Sequence, residues 1–295
     1  MFIVTLTGLA LVAFAANSLL CRMALGGELI DPVSFTTLRL LSGAIILVPV
    51  SQLVAEPRPA SEKIGSWGSG LALFGYAILF SLAYGSLDTG MGALILFGTV
   101  QATMIGLGLK SGDRPDPVEW VGLVVALGGL LYLVSPGISA PDPLGALLMF
   151  AAGFAWGVYS LRGKGTATPV WATTGNFVRT VPMAAVASLV ALSWVHVERA
   201  GIVLAVASGA LTSGLGYVLW YRAIRGLTTI RAAMVQLLVP VLAAFGGVVF
   251  LVEQVSLRLV VASTLILGGV LMTVWTRSST ARNKRTHFAR RETPR

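Results

Sequence analysis

The chain has 295 residues, of which 56% are hydrophobic and 11% are charged, whereas soluble domains carry about 25% charged residues. No water-soluble fold could bury that much apolar surface, so soluble classes of protein are excluded. The formal net charge is +9, and seven of the 21 Lys and Arg residues follow residue 276, which predicts a basic tail at a membrane surface rather than a nucleic-acid-binding arm.

Apolar runs separated by short stretches with Pro, Gly or charged residues predict ten membrane-spanning helices, because a hydrocarbon core of about 30 Å needs about 20 apolar residues per helix. The first run lacks the charged start of a signal peptide, so we expect an uncleaved span. Pro49, Pro182 and Pro240 fall inside predicted spans, which membrane helices tolerate. In chain order the predicted spans are residues 2–21, 33–54, 66–84, 89–109, 118–135, 143–161, 170–195, 201–221, 228–252 and 257–276.

The positions of Lys and Arg predict the side of the membrane on which each loop lies. If the ten spans alternate in direction, sixteen of the 21 basic residues lie on one side. Arg22, Arg199 and Arg258 lie on the other side, and Arg39 and Arg179 lie within spans. Because basic loops remain in the cytoplasm, we expect both termini to be cytoplasmic.

The second half of the chain repeats the first at an offset of about 140 residues. Asn17 aligns with Tyr159, and Tyr76 aligns with Tyr217. Each half holds five predicted helices, an odd number, so the two copies enter the membrane in opposite directions, an arrangement that favours alternating access. The predicted units are a first repeat over 1–136, a second repeat over 141–276 and a disordered basic cytoplasmic tail over 277–295.

Short motifs between residues 219 and 272 are Trp220-Tyr221-Arg222-Ala223 at a helix end, Pro240-Val241 in the ninth span, Glu253 at its exit and Gly268-Gly269 in the tenth. This segment resembles the second repeat of the EamA-type carriers of the drug/metabolite transporter superfamily. In the first repeat Leu38-Arg39 and Gly128-Gly129 fit the family, whereas Val100 stands where it often has Pro, and Asp113 takes the place of Glu253. The resemblance implies a ten-helix carrier whose cavity is lined mainly by spans one to four and six to nine. Family members include exporters of amino acids and other metabolites.

Two arginines lie inside predicted spans, where burying a charge costs at least about 2.5–3.5 kcal/mol. Arg39 and Arg179 should therefore face protein or a wet cavity. A guanidinium can offer a donor fork to the carboxylate or phosphate of a substrate. Alternatively, it can bind loose backbone carbonyls or pair with an acid in a loop. Both interpretations stay open for each arginine.

Other polar and aromatic residues of the spans are further candidates. Gln236 carries the carbonyl that Pro240 leaves without a donor, so this place is either a substrate contact or a helix-to-helix hydrogen bond. Aromatic residues that could line a cavity by stacking on a substrate are Trp156, Tyr159, Tyr217 and Tyr221. Trp220 and Tyr221 lie near a helix end, where interfacial anchoring is the favoured interpretation. Small residues at four-residue spacing, Ser208, Thr212 and Gly216, are interpreted as packing contacts. The predicted substrate-binding residues are Asn17, Arg39, Gln101, Trp156, Tyr159, Arg179, Tyr217 and Gln236.

None of the twelve acidic residues falls in the middle of a predicted span. The first span carries Asn17 where a proton-coupled antiporter would need a carboxylate, so we expect no intramembrane carboxylate relay. The sequence also lacks a phosphate-cradling loop, which argues against primary active transport, and it suggests no cofactor.

The leading interpretation is a secondary transporter of small polar metabolites, such as amino acids. Export is the expected direction of transport. The expected location is the cell membrane, as a multi-pass protein of a bacterial inner membrane. The expected partners are a small-molecule substrate and the lipid bilayer but no nucleic acid, and both a monomer and a homodimer fit the sequence. The alternative is a membrane-embedded lipid-modifying enzyme or a sensor. Such an enzyme would need converging catalytic groups that the spans lack.

Overall fold

The computed structural model describes residues 2–54, 64–110, 117–135, 140–163, 166, 168–224, 235–236, 238–269 and 271–272. These residues are helical almost throughout, and a single antiparallel bridge joins Ile30 to Val197. The predicted all-α class is therefore confirmed. The helices are α1 (Phe2–Gly26), α2 (Pro32–Val54), α3 (Trp67–Tyr84), α4 (Thr89–Lys110), α5 (Pro117–Val134), α6 (Pro143–Gly163), α7 (Pro169–Val190), α8 (the consecutive segments Arg199–Ala207, Ser208–Leu215 and Gly216–Ile224), α9 (Leu238–Leu251) and α10 (Leu257–Gly269).

The surface of the helices is apolar and their interior is partly polar. Among the described residues, α1, α2, α3, α6 and α8 are long and apolar enough to cross a membrane. Large apolar side chains such as Val4, Leu71, Leu144 and Phe245 are exposed, whereas the polar Asn17 is buried. An aqueous solvent would disfavour so much exposed apolar surface, whereas lipid chains solvate it.

The helices pack in matching pairs. Helix α3 packs along α6 as α1 packs along α8, and α4 contacts α6 as α9 contacts α1. Helix α2 packs against α7, and α4 packs against α9. These pairs are exchanged with one another if each helix is replaced by the helix five places before or after it, whereas the smaller contacts of α1 with α3 and α4 have no counterpart of similar extent among the described residues.

Glycines allow close packing of α4 on α6. A Cβ atom at Gly153 would lie 2.7 Å from the Cβ of Thr99, and one at Gly157 would lie 2.9 Å from the Cβ of Thr103. The two glycines and the two threonines both have four-residue spacing, so they face each other along one contact line. Small residues of this kind let membrane helices approach closely.

Acidic side chains gather at the end of the bundle where α2, α4, α6 and α8 begin. We label this end the outer face. Asp31 and Asp142 stand immediately before α2 and α6, and each accepts backbone N–H groups of the first turn, as Oδ1 of Asp31 does from Ser34 at 2.9 Å. Asp88 and Glu198 stand before α4 and α8. The carboxylates of Asp31 and Asp142 satisfy donors that a helix start leaves without partners, whereas the side chain of Glu198 makes no such bond. The opposite end, where α3 and α7 begin, is the inner face.

Two predicted helix ends are wrong. Helix α1 continues to Gly26 instead of ending at residue 21, because Arg22 finds partners at the outer face and need not end the helix. Helix α7 ends at Val190 instead of residue 195, since the chain then turns through a short 3₁₀ segment to the bridge at Val197. Residues 228–234 and 273–276 of the ninth and tenth predicted spans, Asp113 and the predicted tail lie outside the described residues.

Candidate functional site

Arg39 of α2 is the largest fully buried side chain among the described residues, with an exposed fraction of 1%. Its Nε donates to Oγ of Ser213 at 3.0 Å, and its Nη2 donates to the hydroxyl of Tyr76 at 3.2 Å. The guanidinium also lies over the rings of Tyr76 and Phe80, at 5.3 and 5.2 Å from their centroids. Its Nη1 has no hydrogen-bond partner among the described residues. The cation is therefore held by hydroxyls and rings, with one donor group still available.

Asn17 of α1 connects this cation to α8. Its Oδ1 accepts hydrogen bonds from Oγ of Ser208 at 2.7 Å and Oγ1 of Thr212 at 3.1 Å. Its Nδ2 lies 3.5 Å from the hydroxyl of Tyr76, the same hydroxyl that binds Arg39. One polar network thus joins α1, α2, α3 and α8.

The middle segment of α8, Ser208–Leu215, is π-helical. A π turn rotates the following residues relative to an α-helix, and such turns are frequent at functional sites. Here the segment directs the side chains of Ser208 and Thr212 toward α1 and that of Ser213 toward α2. Gly209 makes this approach possible, because a Cβ there would overlap the carbonyl oxygen of Arg39.

Aromatic rings form a wall beside the polar network. The centroid of Trp156 lies 4.8 Å from that of Tyr76, 4.9 Å from that of Tyr217 and 5.5 Å from that of Tyr159. Phe14 closes the group at 5.9 Å from Tyr217. All of these rings are buried. A solute in this region would meet a cation and hydroxyls on one side and apolar rings on the other. We call Asn17, Arg39, Tyr76, Trp156, Ser213 and Tyr217 the central site.

Five of the eight sequence-predicted substrate-binding residues lie together in the structure, and Arg179, Gln101 and Gln236 are not part of this group. Asn17, Arg39, Trp156, Tyr159 and Tyr217 belong to the central site or contact it.

Arg179 lies elsewhere, near the inner face. Its Nη1 donates to the carbonyl oxygens of Ile64 at 2.5 Å and Gly175 at 2.8 Å, and its guanidinium lies 5.8 Å from the ring centroid of Trp67. These contacts match the alternative in which Arg179 binds backbone carbonyls. Gln101 of α4 and Gln236 before α9 are both buried, and Oε1 of Gln236 has no partner among the described residues.

Tyr76 and Ser213 are not among the substrate-binding residues that the sequence predicts. The alignment of Tyr76 with the candidate Tyr217 was a usable signal for the first. The spacing of Ser208 and Thr212 predicts packing contacts, but their hydroxyls also bind Asn17. No spacing rule signals Ser213, because its direction depends on the π turn.

The predicted anchoring role of Trp220 and Tyr221 is wrong. Their exposed fractions are 5% and 6%, so they face protein instead of lipid headgroups. Trp220 packs on Phe14 with a centroid distance of 5.6 Å. A Cβ at Gly163 would lie 2.8 Å from the hydroxyl of Tyr221, so this ring packs against the end of α6.

The central site has the chemistry of an anion receptor. A buried guanidinium with an unpartnered Nη1 attracts a carboxylate, and a charge-assisted hydrogen bond of this kind is about twice as strong as a neutral one. The described residues include no group of three His, Cys, Asp or Glu side chains that could hold a metal ion.

Comparisons with known proteins agree with the predicted resemblance. Residues 143–275 match the EamA-like transporter family. The chain is 49% identical over 267 residues to an uncharacterized protein of Pseudomonas aeruginosa, covering 90% of this chain and 92% of that protein. It is 28% identical over 236 residues to the threonine/homoserine exporter RhtA of Salmonella typhimurium, covering 77% of each. A crystal structure with 21% sequence identity has the same fold at a TM-score of 0.60, covering 90% of this chain and 98% of that one.

The apolar exterior, the buried polar site and these relatives together define a multi-pass membrane transporter. The chain belongs to the EamA-like transporter family of the drug/metabolite transporter superfamily.

Proposed function

We propose that this protein is a secondary transporter that exports amino-acid-like metabolites across the bacterial inner membrane by alternating access. The main support for this proposal is the environment of Arg39. This buried cation has an unpartnered Nη1 and no carboxylate among its hydrogen-bond partners in the described residues. A substrate carboxylate would complete its coordination. The exporter name of the relative RhtA supports this class of substrate.

Alternating access requires two arrangements of similar energy, which inverted repeats provide. The exchange pattern of helix packing supports two five-helix units over 1–136 and 141–276, hence ten spans. Equivalent rings support them too: Tyr76 packs on Trp156 of α6, and Tyr217 packs on Phe14 of α1. Both halves therefore contribute corresponding side chains to the central site.

A contact between the two halves closes the outer face. The carboxylate of Glu253, after α9, accepts hydrogen bonds from the backbone N–H of Thr89 at 2.9 Å and from its Oγ1 at 2.8 Å. Arg22 of α1 approaches the same carboxylate at 3.5 Å and also Asp88 at 3.5 Å. We infer that these contacts break when the transporter opens outward.

The proposed direction of insertion places the acidic outer face outside the cell and both termini in the cytoplasm. The outer face holds Asp31, Asp88, Asp142, Glu198 and Glu253, whereas Arg162 lies at the inner face beside Ser69. This distribution of charges agrees with the retention of basic residues in the cytoplasm.

A flux assay tests the proposal. The purified chain is reconstituted in liposomes loaded with radiolabelled L-threonine, and efflux is followed without ATP, with L-threoninol, which lacks the carboxylate, as the matched solute. We expect saturable efflux of L-threonine and little efflux of L-threoninol. Protein that modified the lipid but moved no solute would replace this proposal with the membrane-enzyme alternative.

A further inference from the structure

A polar cavity opens near the inner face, apart from the central site. Its volume is about 160 Å³, and it lies between the start of α3, the end of α6, the start of α7 and the last turns of α8. We call it the inner cavity. Its polar lining includes Ser66, Ser69, Arg162, Thr166, Asn176 and Tyr221.

Arg162 supplies the positive charge of the inner cavity. Its Nε donates to Oγ of Ser69 at 3.1 Å, which orients the guanidinium over the start of α3. Gly68 leaves room for this orientation, because a Cβ there would lie 2.8 Å from Nη2 of Arg162. No acidic side chain lines the cavity among the described residues, so the arginine is available to an anion.

An unpartnered hydroxyl lies beside the inner cavity, behind its lining residues. Tyr159 has an exposed fraction of 1%, and its hydroxyl lies beside the lining residues Thr173, Asn176 and Tyr221. It nevertheless makes no hydrogen bond of normal geometry among the described residues. Buried polar groups in native proteins generally have partners, so this hydroxyl indicates a place where a ligand or water binds.

Four helix ends give the inner cavity a polarity of its own. The N-terminal ends of α3 and α7 carry partial positive charge, and the C-terminal ends of α6 and α8 carry partial negative charge. A solute with one anionic and one cationic group matches this arrangement: its carboxylate faces Arg162 and the two N-terminal ends, and its ammonium faces the two C-terminal ends.

Tyr159 connects the inner cavity to the central site. Its ring packs on Trp156, and Trp156 packs on Tyr76, whose hydroxyl binds Arg39. A solute released past Tyr159 would therefore reach the central site along the aromatic wall.

We propose that the inner cavity is a cytoplasmic loading site that binds a zwitterionic substrate before it reaches Arg39. The assignment deepens the proposed function and rests on its direction of insertion. Arg162 binds the carboxylate, and the Tyr159 hydroxyl marks the exit toward the central site.

Thiol labelling tests occupancy of the cavity separately from transport. The sole cysteine, Cys21, is buried, so Thr166→Cys adds one accessible thiol in the cavity. A membrane-impermeant maleimide is applied to the inner face of reconstituted vesicles. We expect L-threonine to slow labelling of Thr166→Cys and L-threoninol not to do so. Arg222→Cys, on the same face but outside the cavity lining, is the control and should label equally with or without either solute.

Arg162→Gln is then combined with Thr166→Cys. The L-threonine concentration that halves the labelling rate should rise about tenfold, as expected for the loss of one charge-assisted contact. In flux assays Arg162→Gln should raise the half-saturation concentration for L-threonine at the inner face and leave it unchanged at the outer face, where loading does not pass Arg162.

Protection by both solutes alike, or protection that survives Arg162→Gln, would overturn the loading site even if transport persists. Protection without any transport by the wild type would leave the cavity as a zwitterion site and refute the proposed function. A phosphatidylethanolamine headgroup carries the same pair of charges, so vesicles are prepared with and without this lipid. Slow labelling that depends on the lipid and not on L-threonine would assign the cavity to a headgroup and overturn the proposal.

Discussion

Nε of Arg39 on α2 donates to Oγ of Ser213 on α8 at 3.0 Å, inside the protein and across the two halves of the chain. The serine lies in the π-helical segment of α8, which directs its side chain toward α2. The bond fixes the plane of the guanidinium and leaves Nη1 as its unpartnered donor group. We therefore attribute the geometry of the central site to a π-helical segment in one half of the chain and a charged side chain in the other.

Ser213→Ala should weaken both the fold and substrate binding. It removes the acceptor of a buried charged donor, and leaving such a group without a partner costs about 1–3 kcal/mol. The half-saturation concentration for L-threonine should rise, because the guanidinium loses its orientation. Ser188→Ala is the control: it removes a hydroxyl bonded to Thr37 at 2.8 Å, away from Arg39. An unchanged half-saturation concentration in Ser213→Ala would contradict the orienting role.

Glu253→Gln should weaken the contact between the two halves at the outer face. The substitution weakens the two hydrogen bonds from Thr89 and removes the ion pair with Arg22, and hydrogen bonds to charged groups contribute about 1.5–3 kcal/mol each. We expect a lower midpoint of thermal unfolding in detergent. Glu198→Gln changes an acid of the same face whose side chain is 54% exposed, and it should shift the midpoint little. Equal shifts in the two variants would show that the position of Glu253 between the halves is unimportant.

Gly153→Ala and Gly157→Ala should separate α4 from α6. The new methyl at Gly153 would lie 2.8 Å from the carbonyl oxygen of Leu96, and overpacking of this kind costs about 1–3 kcal/mol. Gly75→Ala serves as the matched helix control, because nothing lies within 4 Å of its new methyl. It should leave stability unchanged or raise it by about 0.5–1 kcal/mol. Denaturant unfolding distinguishes these outcomes, and neutral variants at positions 153 and 157 would refute the close packing.

A reporter fused after Arg295 tests the direction of insertion. Alkaline phosphatase, which is active only outside the cytoplasm, should be inactive there, whereas green fluorescent protein should fluoresce. Fusions after Gly85, in the loop before α4, should give the opposite result because that loop lies at the outer face. Phosphatase activity of the Arg295 fusion would overturn the proposed direction.

The sequence was informative wherever composition alone decides the structure. Hydropathy predicts the helices and places the ends of α2 and α3 within a residue, because lipid enforces continuous apolar segments. Arg22 shows the limit of this approach: a charge in a helix end is tolerated when distant residues bind it, and those partners do not follow from local sequence.

The central site was predictable only in part. Asn17 and Arg39 stand out as polar residues in apolar spans, and the repeat draws attention to Tyr159 and Tyr217. Ser213 does not stand out, because its role depends on a π turn that no local motif encodes. Arg179 resembles Arg39 in sequence because both lie inside apolar spans. In the structure Arg179 binds backbone carbonyls, whereas Arg39 binds side-chain hydroxyls of neighbouring helices.

In the proposed transport cycle, Arg39 binds the carboxylate of an amino-acid-like solute. The most direct measurement is L-threonine counterflow in proteoliposomes for wild type, Arg39→Lys and Arg39→Gln, each first checked for wild-type-like elution by size exclusion. Loss of a buried charge partner costs about 3–5 kcal/mol, so counterflow should fall at least a hundredfold in Arg39→Gln. It should fall less in Arg39→Lys, which keeps the charge and loses the fork. Wild-type counterflow in a folded Arg39→Gln protein would contradict this role of Arg39.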